Sequence, residues 1–282
     1  MTKQTSDSNQ GTFLLGVGAQ KAGTSWLHDQ LQRRTDCNFG FLKEYHIHDA
    51  MTIPEMAHYR DKKGSLFKPR TWLRQRFFKD PNRYYNYFAR LLSHAQIKVT
   101  GDITPSYCSL RSITLKTILS EFKARQIDVR PVFLMRDPVE RILSSMRMKL
   151  RKEGRLNPVD EISALKELTR TKPKRIAIRS DYVHTLDALQ DAFELDNCFI
   201  GFYETIFCKE NYTRLCHFLG LDYQEPAWNK KINQSATTSL MPRELIDELR
   251  HWQAQTLQGV ARHLPNTNLK KIWLTAYPEQ SQ

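Results

Sequence analysis

Residues 12–34 constrain the fold more than any other stretch of the chain. Residues 12–17 (TFLLGV) form an unbroken apolar run of strand length, and a glycine-bounded turn, residues 18–23, follows at once. From about residue 24 to 34, Trp26, Leu27, Gln30 and Leu31 recur at helical spacing. A buried strand running through a tight glycine turn into a helix is the opening of a βα unit. The same rhythm returns further on. Residues 97–100 read as a short strand, and residues 112–124 as a helix with Ile113, Leu115, Ile118, Leu119 and Phe122 on or near one face. Residues 130–135 (RPVFLM) are a second strong strand, followed by a helix from 138 to about 150. Residues 181–193 read as a helix, 198–202 (CFIGF) as a strand and 211–219 as a helix. Strands alternating with helices predict an α/β protein, a P-loop-like three-layer fold with a central mainly parallel sheet flanked by helices. In such sheets ligands bind beyond the carboxyl ends of the strands.

Composition narrows the choices. With 282 residues, 40% of them hydrophobic, the chain can build a sizeable core. The first ten residues are polar and read as a flexible tail. Residues 11–282 read as a single domain with basic insertions near 50–95 and 147–179. Lys and Arg outnumber Asp and Glu by 43 to 30, for a net charge of +13, which favours an anionic partner without naming it. The five cysteines are scattered and odd in number, and no Cys/His cluster has zinc spacing. They predict reduced thiols in a cytoplasmic protein with no metal site. The apolar run at 13–19 is too short to span a bilayer, so no transmembrane or targeting segment is expected.

The turn Gly16-Val-Gly-Ala-Gln-Lys21-Ala-Gly23-Thr24-Ser25-Trp26-Leu27 has the parts of an oxyanion cradle. Its backbone N–H groups can converge, the helix N-terminus adds partial positive charge, Lys21 adds a full one, and Thr24 and Ser25 add hydroxyl donors. It is not a Walker A loop. Gly18 and Gly23 have the right separation, but Thr24 stands where the lysine belongs and the lysine lies inside the loop. A nucleotide kinase on a P-loop-like fold therefore loses support. The plain alternative is an ordinary βα turn with a surface lysine, which leaves the coincidence of strand, glycines, lysine and hydroxyls unexplained.

A second strand-to-helix junction spans residues 133–145. Asp137 suits an N-cap, Pro138 the first helical position and Glu140 the capping-box position, so helix initiation accounts for all three. It does not account for Arg136 or Ser144. An arginine at a strand end can grip phosphate through its guanidinium fork, the plain alternative being a solvated salt bridge.

These two segments resemble the nucleotide motifs of the sulfotransferases that use 3′-phosphoadenosine 5′-phosphosulfate (PAPS) and release 3′-phosphoadenosine 5′-phosphate (PAP). The first is similar to the loop K-x-G-T-[ST]-x-L, which implies that Lys21, Ala22, Gly23, Thr24, Ser25 and Trp26 bind the phosphosulfate end of the nucleotide. The second is similar to R-D-P-x-x-R-x-x-S, which implies that Arg136 and Ser144 bind the 3′-phosphate; Arg141 is read as a surface pairing residue. Lys43-Glu44-Tyr45-His46-Ile47-His48-Asp49 resembles the K-E-x-x-[FH]-F-D stretch of the heparan-sulfate-type branch and implies Glu44 as general base. His46 and His48 are rival bases, because the small-molecule branch uses histidine. A purely structural role for the segment is the third reading, with Asp49 orienting a neighbour or capping the next segment.

Gly101-Asp102-Ile103-Thr104-Pro105-Ser106-Tyr107 resembles the acceptor-side segment G-E-x-[ST]-P-x-Y. It implies that Asp102 and Tyr107, with Lys43, contact the acceptor. Asp102 replaces the usual glutamate, and Ile103 stands where the heparan-sulfate branch has lysine, which counts against a sulfated-glycan acceptor. Tyr203-Glu204 and Phe218-Leu-Gly220-Leu221 resemble Y-E-x-L and F-L-G-L and are read as structural. Lys230-Lys231-Ile-Asn233-Gln-Ser235 resembles a loop that closes over the nucleotide and implies Lys231 at the 3′-phosphate. The resemblance covers most of residues 11–235, with gaps at both basic segments.

The expected activity is transfer of a sulfuryl group from PAPS to a hydroxyl or amine, by in-line displacement with Glu44 as base, Lys21 on the leaving phosphate and no metal. The acceptor is a small molecule or glycan, and the basic stretches leave room for an anionic one. A rival of another class is a nucleic-acid-binding protein. Residues 62–90 hold nine basic residues against one acidic, with Trp72, Phe77, Phe78, Tyr84, Tyr85, Tyr87 and Phe88 interleaved. Those aromatics suit the buried face of amphipathic helices better, so no specific nucleic-acid partner is expected. A non-catalytic scaffold is opposed by intact Lys21, Arg136 and Glu44.

Overall fold

The computed structural model describes residues 11–60, 69–229 and 241–278. Lys231, the N-terminal tail and residues 61–68 of the first basic stretch lie outside the described residues. In chain order the elements are β1 (Thr12–Gly18), α1 (Thr24–Gln32), α2 (His48–Thr52), α3 (Pro69–Lys79), α4 (Asn82–Leu92), β2 (Val99–Ile103) and α5 (Ser112–Lys123). Then come β3 (Asp128–Met135), α6 (Pro138–Lys152), α7 (Pro158–Thr171), α8 (Lys174–Ala177), α9 (Tyr182–Phe193), β4 (Phe199–Phe202) and α10 (Tyr203–Ile206). The chain continues through α11 (Lys209–Phe218), α12 (Arg243–His263) and α13 (Leu269–Ile272). Two 3-10 turns, Pro54–Tyr59 and Pro105–Ser109, matter below.

The four strands form one sheet in the order β2-β1-β3-β4, with every pairing parallel. Every residue of β1 is buried, as an apolar run without alternation requires when helices cover both faces of a sheet. β1 lies between β2 and β3, with Thr12 opposite Val99 on one side and Asp128 on the other. Because β1 and β3 are parallel neighbours, both end at the same edge of the sheet. The turn after β1 and the junction after β3 are thereby delivered side by side, although more than a hundred residues of chain separate them.

One face of the sheet is closed by aromatic side chains. Phe13 of β1 stacks on Phe122 of α5 (centroids 3.9 Å apart) and meets Phe88 of α4 edge-on at 4.9 Å. Tyr84, Tyr85 and Phe88 form the buried side of α4, and Phe77 is the buried residue of α3. The aromatics of the first basic stretch are therefore mostly core, as amphipathic helices would have it. Trp72, half exposed with Arg76 over its ring at 4.9 Å, is the exception. Complete burial of one such ring contributes about 1.5–3 kcal/mol. The second basic stretch is also helical: it runs from the last turns of α6 through α7 and α8. α9 packs on α5 and α12, and α12 also touches α6 and α7. Among the described residues no helix is long and apolar enough to cross a membrane.

Candidate active site

At the carboxyl end of β1 the chain turns with Gly18 at φ 117°, Lys21 at φ 70° and Gly23 at φ 88°. For Lys21, a left-handed backbone costs about 1–2 kcal/mol, which the surrounding packing must offset. Glycine suits position 23 because its φ of 88° is left-handed. Gly23 caps α1 and, having no side chain, leaves the helix's first N–H groups without a cap from that position. The α1 N-terminus therefore presents donors to the space in front of it.

The junction after β3 is built as the sequence suggests, with one exchange of partners. Asp137 Oδ1 accepts from the N–H groups of Val139 (2.9 Å) and Glu140 (3.2 Å), and Pro138 opens α6. Glu140 does not close a capping box. Its Oε2 lies 3.3 Å from Arg136 Nη2, and its Oε1 accepts from Thr275 Oγ1 at 3.0 Å. The carboxylate of Glu204 accepts instead from the Asp137 N–H, at 2.8 Å. Burial pushes the Glu204 carboxyl up to about 7. Arg136 donates from Nη1 to the carbonyl oxygen of Lys21 at 3.3 Å, and its guanidinium lies 4.4 Å from the centre of the Tyr203 ring. The two junctions are thus in direct contact.

Both open onto a cavity of about 670 Å³. Lys21, Gly23, Thr24, Ser25 and Trp26 line one wall, Arg136 and Ser144 another. Ala22 is buried behind the turn. Three buried polar atoms of lining residues have no hydrogen-bond partner among the described residues: Nε of Arg136, Nε1 of Trp26 and Nε of Arg179. Trp26 stacks on Trp228 (centroids 5.8 Å, 21° between planes) and meets Phe207 edge-on at 5.1 Å, giving an aromatic wall beside the cationic ones. Burial, then the charges of Arg151, Arg136, Lys152 and Lys43, lower the Lys21 ammonium to about 8.

The third wall is the segment after α1. Lys43 Nζ donates to Ser25 Oγ and to Glu44 Oε1, both at 2.9 Å. Glu44 Oε2 lies 3.2 Å from His46 Nε2, and His46 Nδ1 lies 2.7 Å from Asp49 Oδ2, which also accepts from Ser106 Oγ at 2.5 Å. The His46 ring stacks on Tyr59 with centroids 3.5 Å apart. Burial works against the Glu44 carboxylate, but hydrogen bonds and charges from His46 and Lys43 prevail and hold it at about 2. Burial likewise opposes charge on His46, and Asp49 with Glu44 overcomes it, raising that imidazole above its usual range.

Several residues expected at the site stand elsewhere. His46 has φ 53°, and this turn sends His46 to the cavity and His48 to the interior. His48 is packed against Tyr84 and Tyr107, its Nε2 has no partner among the described residues, and burial lowers it to about 4. It cannot serve as a base toward the cavity. Asp102 and Tyr107 do not face the cavity either. Asp102 is wholly buried and accepts from the hydroxyls of Tyr84 (3.0 Å), Tyr107 (2.8 Å) and Thr104 (2.6 Å) and from the N–H of Tyr45 (3.3 Å). Thr104 Oγ1 in turn accepts from the Tyr45 N–H at 3.1 Å, and Tyr107 Oη from the Ile47 N–H at 3.3 Å. These side chains hold the backbone that carries Glu44 and His46. Their neighbours Pro105 and Ser106 are the ones that reach the cavity. Arg141, read as a surface residue, is wholly buried and donates to Ser180 Oγ.

Other lining residues were not assigned to the site from the sequence. Tyr203 and Phe207 come from α10 and the turn after it, in a segment read as structural. Arg147, Met148, Arg151 and Lys152 come from α6, and Arg179 from the turn before α9. Helical spacing from Ser144 would have placed Arg147, Met148 and Arg151 on its side of α6. Nothing local pointed to Tyr59, Arg179 or Trp228.

The profile of the family described as "Sulfotransferase domain" matches residues 12–261, and the chain belongs to that family. Among solved structures, a sulfotransferase from Alicyclobacillus acidocaldarius superposes with a TM-score of 0.60 at 18% identity, over 89% of this chain and 94% of that one. The sulfotransferase domain of the Synechococcus PCC 7002 olefin synthase gives a TM-score of 0.44 at 14% identity, over 89% of this chain and 98% of that one. None of the curated proteins matches the chain significantly. The protein is a sulfotransferase-family α/β protein with a central parallel sheet flanked by helices.

Proposed function

We propose that this protein transfers a sulfuryl group from PAPS to a hydroxyl or amine of a small acceptor. The observation that carries the reading is the convergence of the Lys21 turn and the Arg136 junction on one cavity, with Arg136 donating to the Lys21 carbonyl. The nucleotide fits the donor set on hand. The α1 N-terminus and Lys21 suit the phosphosulfate end, and Arg136, with Ser144 beside it, has an unused buried Nε suited to a 3′-phosphate. Trp26, Trp228 and Phe207 offer flat surfaces for a base.

The donor supplies the sulfuryl group. Glu44 takes the proton of the acceptor as its oxygen or nitrogen bonds to sulfur, and Lys21 neutralises charge growing on the departing phosphate. Lys43 ties Ser25, on the nucleotide side, to Glu44, on the acceptor side, so the two halves are held in register. The low pKa of Glu44 keeps it ionised but makes it a weak base, and His46 backed by Asp49 favours a second reading in which the imidazole shares the proton. Calorimetry with PAP, followed by transfer from labelled PAPS to an acceptor panel, tests the proposal. Absence of PAP binding would remove it.

A further inference from the structure

Among the described residues, Arg179 stands apart from the paired cations that line the cavity. Arg136 is paired with Glu140, Arg147 with Glu161 (3.1 Å) and Lys43 with Glu44. Arg179 has no carboxylate partner among the described residues, although it is 93% buried, being 7% exposed. Among the described residues its Nε is buried without a hydrogen-bond partner, and Nη2 contacts the sulfur of Met56 at 3.5 Å. Nearby, Arg141 is also wholly buried with no carboxylate partner among the described residues, and it braces the same turn through Ser180 Oγ and the Ile176 carbonyl. A guanidinium stays charged under all ordinary conditions. Burying one without a counter-charge costs several kcal/mol, and an anion brought to it recovers much of that cost.

The position of Arg179 decides which anion it can meet. Met56 and Tyr59 belong to one 3-10 turn, and Lys174 of α8 pins that turn through Glu55 at 2.6 Å. Tyr59 stacks on His46, which contacts Glu44. Arg179 therefore lines the cavity and touches, through Met56, the turn whose Tyr59 stacks on His46, the neighbour of the base Glu44. Resting on the sulfotransferase reading above, we infer that the acceptor is a small molecule bearing an oxyanion as well as the group to be sulfated, and that Arg179 binds that oxyanion. The shared chemistry is a carboxylate, phosphate or sulfate within reach of the nucleophile.

Three matched probes distinguish the source of the oxyanion: 4-hydroxybenzoate, 4-hydroxyphenyl phosphate and 4-hydroxyphenyl sulfate, each against the uncharged methyl 4-hydroxybenzoate. Binding is measured by calorimetry on the full chain, with and without saturating PAP. At least one anionic probe is expected to bind tenfold or more tighter than the ester, and Arg179→Met, which keeps the apolar stem, is expected to erase the difference. Arg179→Lys should restore part of it. Equal binding of all four probes overturns the inference, as does a preference for anions that survives in Arg179→Met with an unchanged melting temperature. PAP titrations of the same proteins report on the nucleotide separately. Loss of PAP binding with a retained, Arg179-dependent anion preference would sink the sulfotransferase reading and not the oxyanion site.

Discussion

Arg136→Ala offers the most direct test of the nucleotide assignment, because its effect can be separated by a thermodynamic cycle. The guanidinium now lies over Tyr203, donates to the Lys21 carbonyl and pairs with a Glu140 that is a third exposed. Losing the ring contact costs about 0.5–1 kcal/mol, whichever nucleotide is bound. Freeing Glu140 costs little, since it keeps Thr275 and water. The contribution specific to a 3′-phosphate is larger. Charge-assisted hydrogen bonds contribute about 1.5–3 kcal/mol each, and removing one side of a desolvated charge pair costs about 2–5 kcal/mol. The coupling between Arg136 and the 3′-phosphate is therefore expected at about 2–4 kcal/mol, a factor of roughly 30 to 1,000. Calorimetry with PAP and with adenosine 5′-phosphate, on wild type and Arg136→Ala, gives all four corners. Adenosine 5′-phosphate should lose no more than about fivefold, while PAP loses the full factor. If the two affinities fall by the same ratio, Arg136 does not read the 3′-phosphate and the reasoning fails.

Glu44→Gln should lower turnover by about 10²–10⁴ with PAP affinity nearly unchanged, and parallel single-turnover and binding measurements check this. Turnover that survives in Glu44→Gln and disappears in His46→Asn would move the base to the imidazole. Lys21 loses its proton near pH 8 in the free protein, so kcat/KM for PAPS should decline as pH rises beyond that point; a pH profile of Lys21→Arg should lack this limb. Asp102→Ala leaves the hydroxyls of Tyr84 and Tyr107 without their acceptor and should destabilise the protein by about 2–4 kcal/mol in urea unfolding. An unchanged midpoint would return Asp102 to the acceptor side.

The elements legible in the sequence are those whose signal is local. β1 is apolar after Thr12 and β3 is apolar from Pro131 onward, where both sheet faces are covered, and α6 announces itself with Asp137 and Pro138. α12 went unread for a physical reason. Its buried residues are Leu245, Leu249, Gln253, Leu257, Gly259 and Val260, an apolar file interrupted by a glutamine and a glycine. The site divides the same way. Lys21, Arg136, Ser144 and Glu44 sit in segments whose residue types and order carry their chemistry. His46 and His48 could not be separated, because a single left-handed residue decides which one faces the cavity. Glu204 took the capping task expected of Glu140, an exchange only the packed β4 end can dictate. Arg179 and Tyr59 join the site through tertiary contacts that leave no trace in local pattern.

The strand order has a consequence for biogenesis. β1 is made first, yet both its edges pair with strands synthesised much later, β2 on one side and β3 on the other. Until the ribosome has passed Ile103 this buried segment has no partner strand, and its second edge stays open until Met135; such non-local pairing is slow and prone to association. The aromatic wall at Trp228 completes the cavity later still. A ligand that binds only the finished cavity would therefore act late, rescuing newly assembled molecules by mass action and leaving the vulnerable nascent stage untouched. Adding nucleotide to expressing cells should raise yield less than lowering the rate of synthesis.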